Sequence, residues 1–319
     1  MLQLLLGGSG SGKTTLLYQR IRARAEKGEK SILLVPEQFT SSTEGRIYRE
    51  LGDALSGMVE SFSFTSLAEK ILSTEGGAAV QTLSDAGRAV LVRRALEELQ
   101  DNVHYYHRHR RSAAFCQMAA QTIDELKSAG LSGRQLAQLA GACGAESGKL
   151  SELALIFQGY ETLLARSGMD PSDRLELAGA RLEEALARHS LPEFLRDRAV
   201  FIDEFDTFNA PKKRLLGAML AALPSVTVAL CDDGAPLLPG DLSLFSGAKQ
   251  VAAQLRQLAR KNGAEVAVPQ LLRKDLRHRN APGLAAVAEL LETGSCTADA
   301  PAGEVRLFAA PSREEEARA

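Results

Sequence analysis

The chain has 319 residues, of which 45% are hydrophobic and 24% charged, and this composition is that of a globular protein with one large core or two ordinary ones. Its four cysteines are far apart and include no C-x-x-C pair, so neither a zinc site nor a disulfide framework is indicated, and a reducing cytoplasm is the expected location. The formal net charge of −2 gives no overall attraction to nucleic acid, although a local basic groove stays possible.

The first predicted element is a strand that leads into a glycine-rich loop. Residues 2–6 form an apolar run typical of a buried parallel strand, and this run is too short for a signal peptide or a membrane span. Residues 7–14 then show the spacing G-x-x-x-x-G-K-T, in which glycines allow the backbone to point successive N–H groups toward an anion. An amphipathic helix follows, and its dipole adds to the attraction for phosphate.

This loop predicts a site for ATP and Mg²⁺. Lys13 is expected to reach the β- and γ-phosphates, and the Thr14 hydroxyl is expected to bind Mg²⁺. The residues predicted to hold the nucleotide are the loop and the start of its helix, namely Gly7, Gly8, Ser9, Gly10, Ser11, Gly12, Lys13, Thr14 and Thr15. A glycine- and serine-rich turn without a ligand is the alternative, but the order of strand, loop, Lys-Thr pair and helix favours nucleotide binding.

Two further strand-helix units are predicted after the loop. Residues 31–35 form a buried strand that ends in Pro36-Glu-Gln-Phe-Thr40, which places polar groups at the edge of the sheet where ligands bind. Residues 58–64 are predicted as a third strand, with Thr65 or Ser66 as the cap of the next helix. Three such units predict a parallel sheet.

The pattern then changes to one without strands. Residues 83–188 carry apolar side chains at helical spacing, which predicts an all-helical insert. Helix starts are predicted at Ser132 and at Asp170-Pro171.

One stretch of this insert mixes imidazole, aromatic and guanidinium groups. Residues 104–111 read His-Tyr-Tyr-His-Arg-His-Arg-Arg, which could contact nucleic acid through charge and stacking. The alternative, a solvated connection between helices, is favoured, and the histidine spacing suits no defined metal site.

The sheet is predicted to resume after the insert. Residues 199–202 form a buried strand that brings Asp203 and Glu204 to the edge where the phosphate loop lies. Asp203 is expected to hold Mg²⁺, and Glu204 to orient or deprotonate the water that attacks a γ-phosphate, so both are predicted catalytic residues. A strand over residues 226–231 ends in Asp232-Asp233, which could sense the nucleotide or could form an ordinary acidic turn.

The last residues carry two more signals. Residues 305–309 are predicted as a strand, and residues 312–315 as a capping box that opens a helix. Because the chain stops at Ala319, these signals predict the truncated start of a further domain.

The phosphate loop and five later segments, in this order and spacing, closely resemble the N-terminal part of the AddB family, the second subunits of bacterial AddAB helicase-nucleases. The segments read LLVPEQFT, VESFSFTSLAEKIL, IDELKSAGLS, KLSELALIFQGYETLL and FIDEFDTFNAPKKRLL, and the likeness covers nearly the whole chain. It implies an α/β fold, namely a RecA-like P-loop domain with a parallel sheet that an all-helical insertion interrupts. The expected boundaries are 1–78 and 196–300 for the two parts of that domain, 79–195 for the insertion and 301–319 for the truncated next domain.

The resemblance also implies a role and partners. It implies resection of double-strand DNA breaks before recombination, in the cytoplasm and with no membrane involved. The implied partners are an AddA-like subunit in a heterodimer, double-stranded DNA ends and single-stranded DNA. Family members continue into a second RecA-like domain and a nuclease domain with an iron-sulfur cluster; the four cysteines here lack the spacing for that cluster, so it is expected only beyond this part of the family.

Two other functions remain open at this point. A small-molecule kinase would use the same loop, but it normally closes an arginine-rich lid over the acceptor, and the helical insert has no dense arginine cluster beyond Arg108, Arg110 and Arg111. A nucleotide-binding scaffold without hydrolysis is the other alternative. The sequence hardly separates that scaffold from a working ATPase.

Overall fold

A computed structural model describes residues 1–77, 79, 81–144, 147–295, 305, 306 and 308–318. Its centre is a six-stranded sheet in the order β3-β2-β4-β5-β1-β6, in which every neighbouring pair is parallel. The strands are β1 Leu2–Gly7, β2 Ser31–Leu34, β3 Val59–Phe62, β4 Ala199–Ile202, β5 Ser225–Cys231 and β6 Gln270–Leu272. The predicted α/β class with a parallel sheet is therefore confirmed.

Helices cover both faces of the sheet and form a separate bundle. In chain order they are α1 Lys13–Ala25, α2 Thr40–Leu51, α3 Asp53–Ser56, α4 Phe64–Glu75, α5 Asp85–Glu98, α6 Ala113–Ser128, α7 Gly133–Ala140, α8 Ser147–Ser167, α9 Pro171–Ala187, α10 Ala210–Ala222, α11 Ser246–Lys261, α12 Pro282–Thr293 and α13 Arg313–Glu316. Among the described residues, no helix is both long enough and apolar enough to cross a membrane.

Each strand is buried on both sides because apolar side chains alternate between the two faces of the sheet. Leu4 of β1 packs with the helices α4, α9, α10 and α11, whereas the adjacent Leu5 packs with α1 and α2. This two-sided burial explains why the strands read as continuous apolar runs in the sequence.

The bundle formed by α5, α6, α7 and α8 has a core of its own, which includes Val92, Ile123 and Phe157. Helix α9 differs, because its buried residues Leu175 and Leu182 belong to the core beside the sheet. Between residues 83 and 188 the described residues form no strand, as the sequence predicted. The boundaries proposed for the insertion stay predictions.

A buried ionic network joins the bundle to α9. Asp170, at the start of α9, is fully buried and accepts hydrogen bonds from Tyr160 Oη at 2.5 Å and Lys127 Nζ at 2.7 Å. Arg88 adds a third contact, with its Nε 3.6 Å from Asp170 Oδ1. Burial and the hydrogen bond to Asp170 raise the pKa of Tyr160. The network therefore fixes α5, α6, α8 and α9 against one another.

The helix caps confirm two predictions and correct a third. Ser132 caps α7, and Asp170 precedes Pro171 at the start of α9. The cap of α4 is neither Thr65 nor Ser66 but Ser63, whose hydroxyl accepts from the Ser66 N–H at 3.1 Å. The predicted third strand was too long by two residues at its carboxyl end, and Ser63 has left the strand and caps the helix.

The carboxyl-terminal predictions fare unevenly. Ser312 caps the short helix α13, as predicted, by accepting from the Glu315 N–H at 3.3 Å. The predicted strand over 305–309 is wrong for its described residues, because none of residues 305, 306, 308 and 309 is in a strand; residue 307 lies outside the described residues. An apolar run becomes a strand only where a neighbouring strand accepts its hydrogen bonds, and the described part of the chain pairs nothing with this run.

Candidate nucleotide-binding site

The strand order brings the phosphate loop and the acidic turn to one edge of the sheet. Strand β5 pairs with β1 on one side and with β4 on the other, so the carboxyl ends of β1 and β4 are separated by a single strand. The loop after β1 and Asp203 after β4 consequently meet at this edge, as the sequence predicted.

The loop has the backbone of an anion cradle. Gly10 and Gly12 adopt left-handed conformations, with φ of +80° and +87°, which glycine tolerates and other residues rarely do. A Cβ added at Gly10 would lie 2.6 Å from Arg277 Cβ, and one added at Gly12 would lie 2.9 Å from Leu276 Cδ1. Both the backbone conformation and the close approach of a later segment therefore require glycine here.

Lys13 lies at the start of α1 and reaches back over the loop. Its Nζ donates hydrogen bonds to the carbonyl oxygens of Gly7 and Gly8, each at 2.8 Å. Burial lowers the pKa of Lys13, and the carboxylate of Asp203 acts in the opposite direction. An anion in the loop would oppose that shift, because a negative charge favours the ammonium form.

Asp203 is the buried carboxylate of the site, with 6% of its surface exposed. Burial raises the pKa of Asp203, although a hydrogen bond from the Thr14 hydroxyl partly offsets this effect. Glu204 has a left-handed backbone with φ of +66°, and its N–H donates to Asp203 Oδ1 at 3.1 Å. A strained, non-glycine residue beside a buried acid is a common feature of functional sites.

The predicted residues line a cleft of about 520 Å³. Its walls include the exposed side of the loop, the start of α1 and the acidic turn, contributed by Ser9, Gly10, Gly12, Lys13, Thr14, Thr15, Asp203 and Glu204. Gly7, Gly8 and Ser11 lie on the other side of the loop, where they line a second pocket of about 390 Å³. The predicted loop residues are thus divided between two sides of the loop, and Ser9 contributes to both.

Two arginines in the cleft were missed by sequence reasoning. Arg277 follows β6, and its Nη1 donates to Ser9 Oγ at 3.0 Å while the neighbouring Leu276 N–H donates to Gly10 O at 3.0 Å. Arg46 reaches the cleft from α2. Only three residues form β6, and they follow Pro269 at the edge of the sheet, so the strand that would have placed Arg277 has a weak signal.

Comparison with known proteins identifies the family. A family model described as "ADDB, N-terminal" matches residues 4–288. The chain belongs to this AddB N-terminal family. It is 34% identical to an ATP-dependent helicase/deoxyribonuclease subunit from Desulforudis audaxviator, over 99% of this chain and 27% of that protein. The proteins of the same name from Symbiobacterium thermophilum and Moorella thermoacetica are 32% and 33% identical, over 100% and 89% of this chain.

This AddB N-terminal chain spans about a quarter of the length of the curated relatives it matches, with 28% of the Symbiobacterium protein and 25% of the Moorella protein covered. The phosphate loop and all five later segments that carry the resemblance lie within the residues that the family model matches.

The second acidic pair of this AddB chain serves the backbone around β5. Asp232 N–H donates to Gly7 O at 3.2 Å, and its Oδ1 accepts from the Gly234 N–H at 2.7 Å. Asp233 forms an ion pair with the buried Lys249 at 3.3 Å. Both aspartates line the pocket behind the loop rather than the cleft, which favours the structural alternative for this pair.

The basic and aromatic stretch of residues 104–111 lies in the helical bundle of the AddB chain. The carboxylate of Glu152 accepts backbone hydrogen bonds from His104, Tyr105 and Tyr106, at 2.8 to 3.2 Å. Tyr106 stacks on Phe115 with ring centroids 5.3 Å apart. The stretch is an ordered connection between α5 and α6, consistent with the alternative that the sequence favoured.

The cleft has the chemistry that a nucleotide with Mg²⁺ requires. It combines left-handed glycines, a lysine whose ammonium has only loop carbonyls as hydrogen-bond acceptors in the described structure, and a hydroxyl next to a buried carboxylate. A ready-made cluster of three or more His, Cys, Asp or Glu ligands does not occur among the described residues. Mg²⁺ in a phosphate-loop site needs no such cluster, because phosphates and water supply most of its ligands.

Proposed function

We propose that this chain is the nucleotide-binding, helicase-like part of an AddB subunit and that its cleft holds ATP with Mg²⁺. The observation that carries the proposal is the meeting of the Lys13 loop with the Thr14 and Asp203 pair at one edge of the sheet. The printed names of the relatives support dependence on ATP. When bound, Mg²⁺ would bridge the β- and γ-phosphate oxygens and neutralise their charge.

Each residue in the cleft has a proposed task. The N–H groups of the loop surround the phosphates, and Lys13 exchanges its two carbonyl acceptors for phosphate oxygens. Thr14 and Asp203 hold the metal ion. Glu204 orients, or accepts a proton from, the water that attacks the terminal phosphate. Arg277 adds a positive charge at the Ser9 side of the loop.

The wider role follows from the family. We propose that the full protein pairs with an AddA-like subunit in the cytoplasm and processes double-stranded DNA ends, with single-stranded DNA as a second ligand, for break repair by recombination. The words helicase, deoxyribonuclease and subunit in the names of the relatives support this role. The proposed domain boundaries remain those given by the sequence, and an iron-sulfur cluster is proposed only for the part of the family beyond this chain.

The proposal is tested by calorimetric titration with ATPγS in the presence of Mg²⁺ and again with EDTA. Wild type should bind in Mg²⁺, and Thr14→Val should weaken that binding about tenfold, because a hydrogen-bonding metal ligand is replaced by an apolar group of the same shape. Thr122→Val is the matched control, since the Thr122 hydroxyl bonds only to the Met118 carbonyl of its own helix.

With EDTA, Thr14→Val and wild type should bind equally. Absence of saturable binding by the wild-type chain would contradict the proposed nucleotide site. Equal binding by Thr14→Val and wild type in Mg²⁺ would contradict the assigned metal ligand.

A further inference from the structure

Arg46 is a guanidinium without a hydrogen-bonding partner in the described part of the chain. It is half-buried on α2, and its Cζ lies 5.0 Å from the centroid of the Tyr18 ring, so its one recorded interaction is a cation–π contact. A guanidinium carries five N–H donors, and leaving them unfilled in a partly desolvated place is costly. An anionic ligand would satisfy them.

The position of Arg46 identifies one end of the cleft. It lines the cleft of about 520 Å³ and also a smaller adjoining pocket of about 190 Å³, which Thr14, Tyr18 and Asp203 line as well. Arg277 lines the cleft but not the smaller pocket. Arg46 therefore lies at the Thr14 and Asp203 end, and Arg277 lies toward the Ser9 end of the loop.

We propose that Arg46 binds the terminal phosphate and makes the site prefer a nucleoside triphosphate to a diphosphate. This inference rests on the proposed function, in which Thr14 and Asp203 hold an ion that bridges the β- and γ-phosphates and so place the γ-phosphate at their end of the cleft. A planar guanidinium suits phosphate because it can donate two parallel hydrogen bonds to phosphate oxygens.

Tyr18 prepares Arg46 for this contact. The tyrosine is 5% exposed on α1, so its ring is a fixed surface on which the guanidinium plane rests. Stacking limits the conformations of a long side chain before a ligand arrives, which reduces the entropy lost on binding. Helix α2 begins directly after β2 and the Pro36 turn, so the γ-phosphate contact would also link the nucleotide to that part of the sheet edge.

The test compares ATPγS and ADP, both with Mg²⁺, by calorimetric titration of the full 319-residue chain. Arg46→Ala should lose about tenfold or more in affinity for ATPγS and stay within about twofold of wild type for ADP. Arg46→Lys should be intermediate for ATPγS, because it keeps the charge and loses the fork. Arg49→Ala is the matched control, since Arg49 lies on the same helix and lines the smaller pocket but not the cleft.

The outcomes separate this inference from the proposed function. Unchanged ADP affinity in Arg46→Ala would show that the variant is folded, so a selective loss of ATPγS affinity would support the assignment. Equal losses for both nucleotides, or no loss for either, would overturn it while leaving the nucleotide site intact. If wild type bound neither nucleotide, the proposed function and this inference would both fall.

Discussion

Replacing Lys13 by methionine should weaken nucleotide binding while largely preserving the packing of its aliphatic stem. The lost interaction is a charge-assisted hydrogen bond to phosphate, worth about 1.5 to 3 kcal/mol, which corresponds to about a 10- to 150-fold loss of affinity. The structure favours the lower part of that range. In the free protein Lys13 Nζ already has two carbonyl acceptors at 2.8 Å, and these bonds must be exchanged for the phosphate contact.

The assay is calorimetric titration of Lys13→Met and wild type with ATPγS and Mg²⁺. Lys27→Met, in the exposed turn that follows α1, controls for the loss of one positive charge at a distance from the cleft. Lys27→Met should bind as wild type does. If Lys13→Met also bound as tightly as wild type, the loop would not be the nucleotide site, and the reasoning from its spacing and geometry would be refuted.

Three further predictions concern stability and turnover. Asp203→Asn should raise the melting temperature of the nucleotide-free protein at pH 7, because burial raises the pKa of Asp203 above its ordinary 3.8 and ionisation therefore costs stability. That gain should disappear as the pH falls below 3.8, where the carboxyl is neutral in both the folded and unfolded states; a gain independent of pH would contradict the cause. Lys127→Met should lower the free energy of unfolding by about 3 kcal/mol in urea titrations, because it leaves the buried Asp170 without its ammonium partner, and a change within about 0.5 kcal/mol would show that the network is not stabilising. Phosphate release by the purified 319-residue chain should stay below about 1 s⁻¹ even with DNA ends, and strand displacement should be absent, because no second domain faces the cleft among the described residues; faster turnover would refute this half-site interpretation.

Local signals in the sequence were enough to predict most of the elements around the site. The spacing from Gly7 to Thr14 required a turn with left-handed glycines followed by a helix, and the structure has both. Continuous apolar runs predicted five of the six strands, because a strand covered on both faces has no polar side to interrupt the run. The acidic turn after β4 was placed at the ligand edge because parallel strands share one carboxyl end.

Signals that are short or shared between neighbours misled the sequence analysis. The segment of Ser63 to Ser66 offers several capping hydroxyls in a row, and only the exact exit of the chain from β3 selects Ser63. The run at 305–309 has the composition of a strand, but composition does not provide a pairing partner.

The distant residues that complete the cleft could be found only in the folded chain. Arg46 arrives from α2 and Arg277 from the segment after β6, and neither has a fixed spacing from the loop that a sequence pattern could show. Their meeting depends on the insertion of β5 between β1 and β4, on β6 at the outer edge and on the packing of α2 beside α1. Hydrogen-bonded registry and core packing set these long-range relations, because the free energy of burying each strand depends on every neighbour it finds and not on its own residues alone.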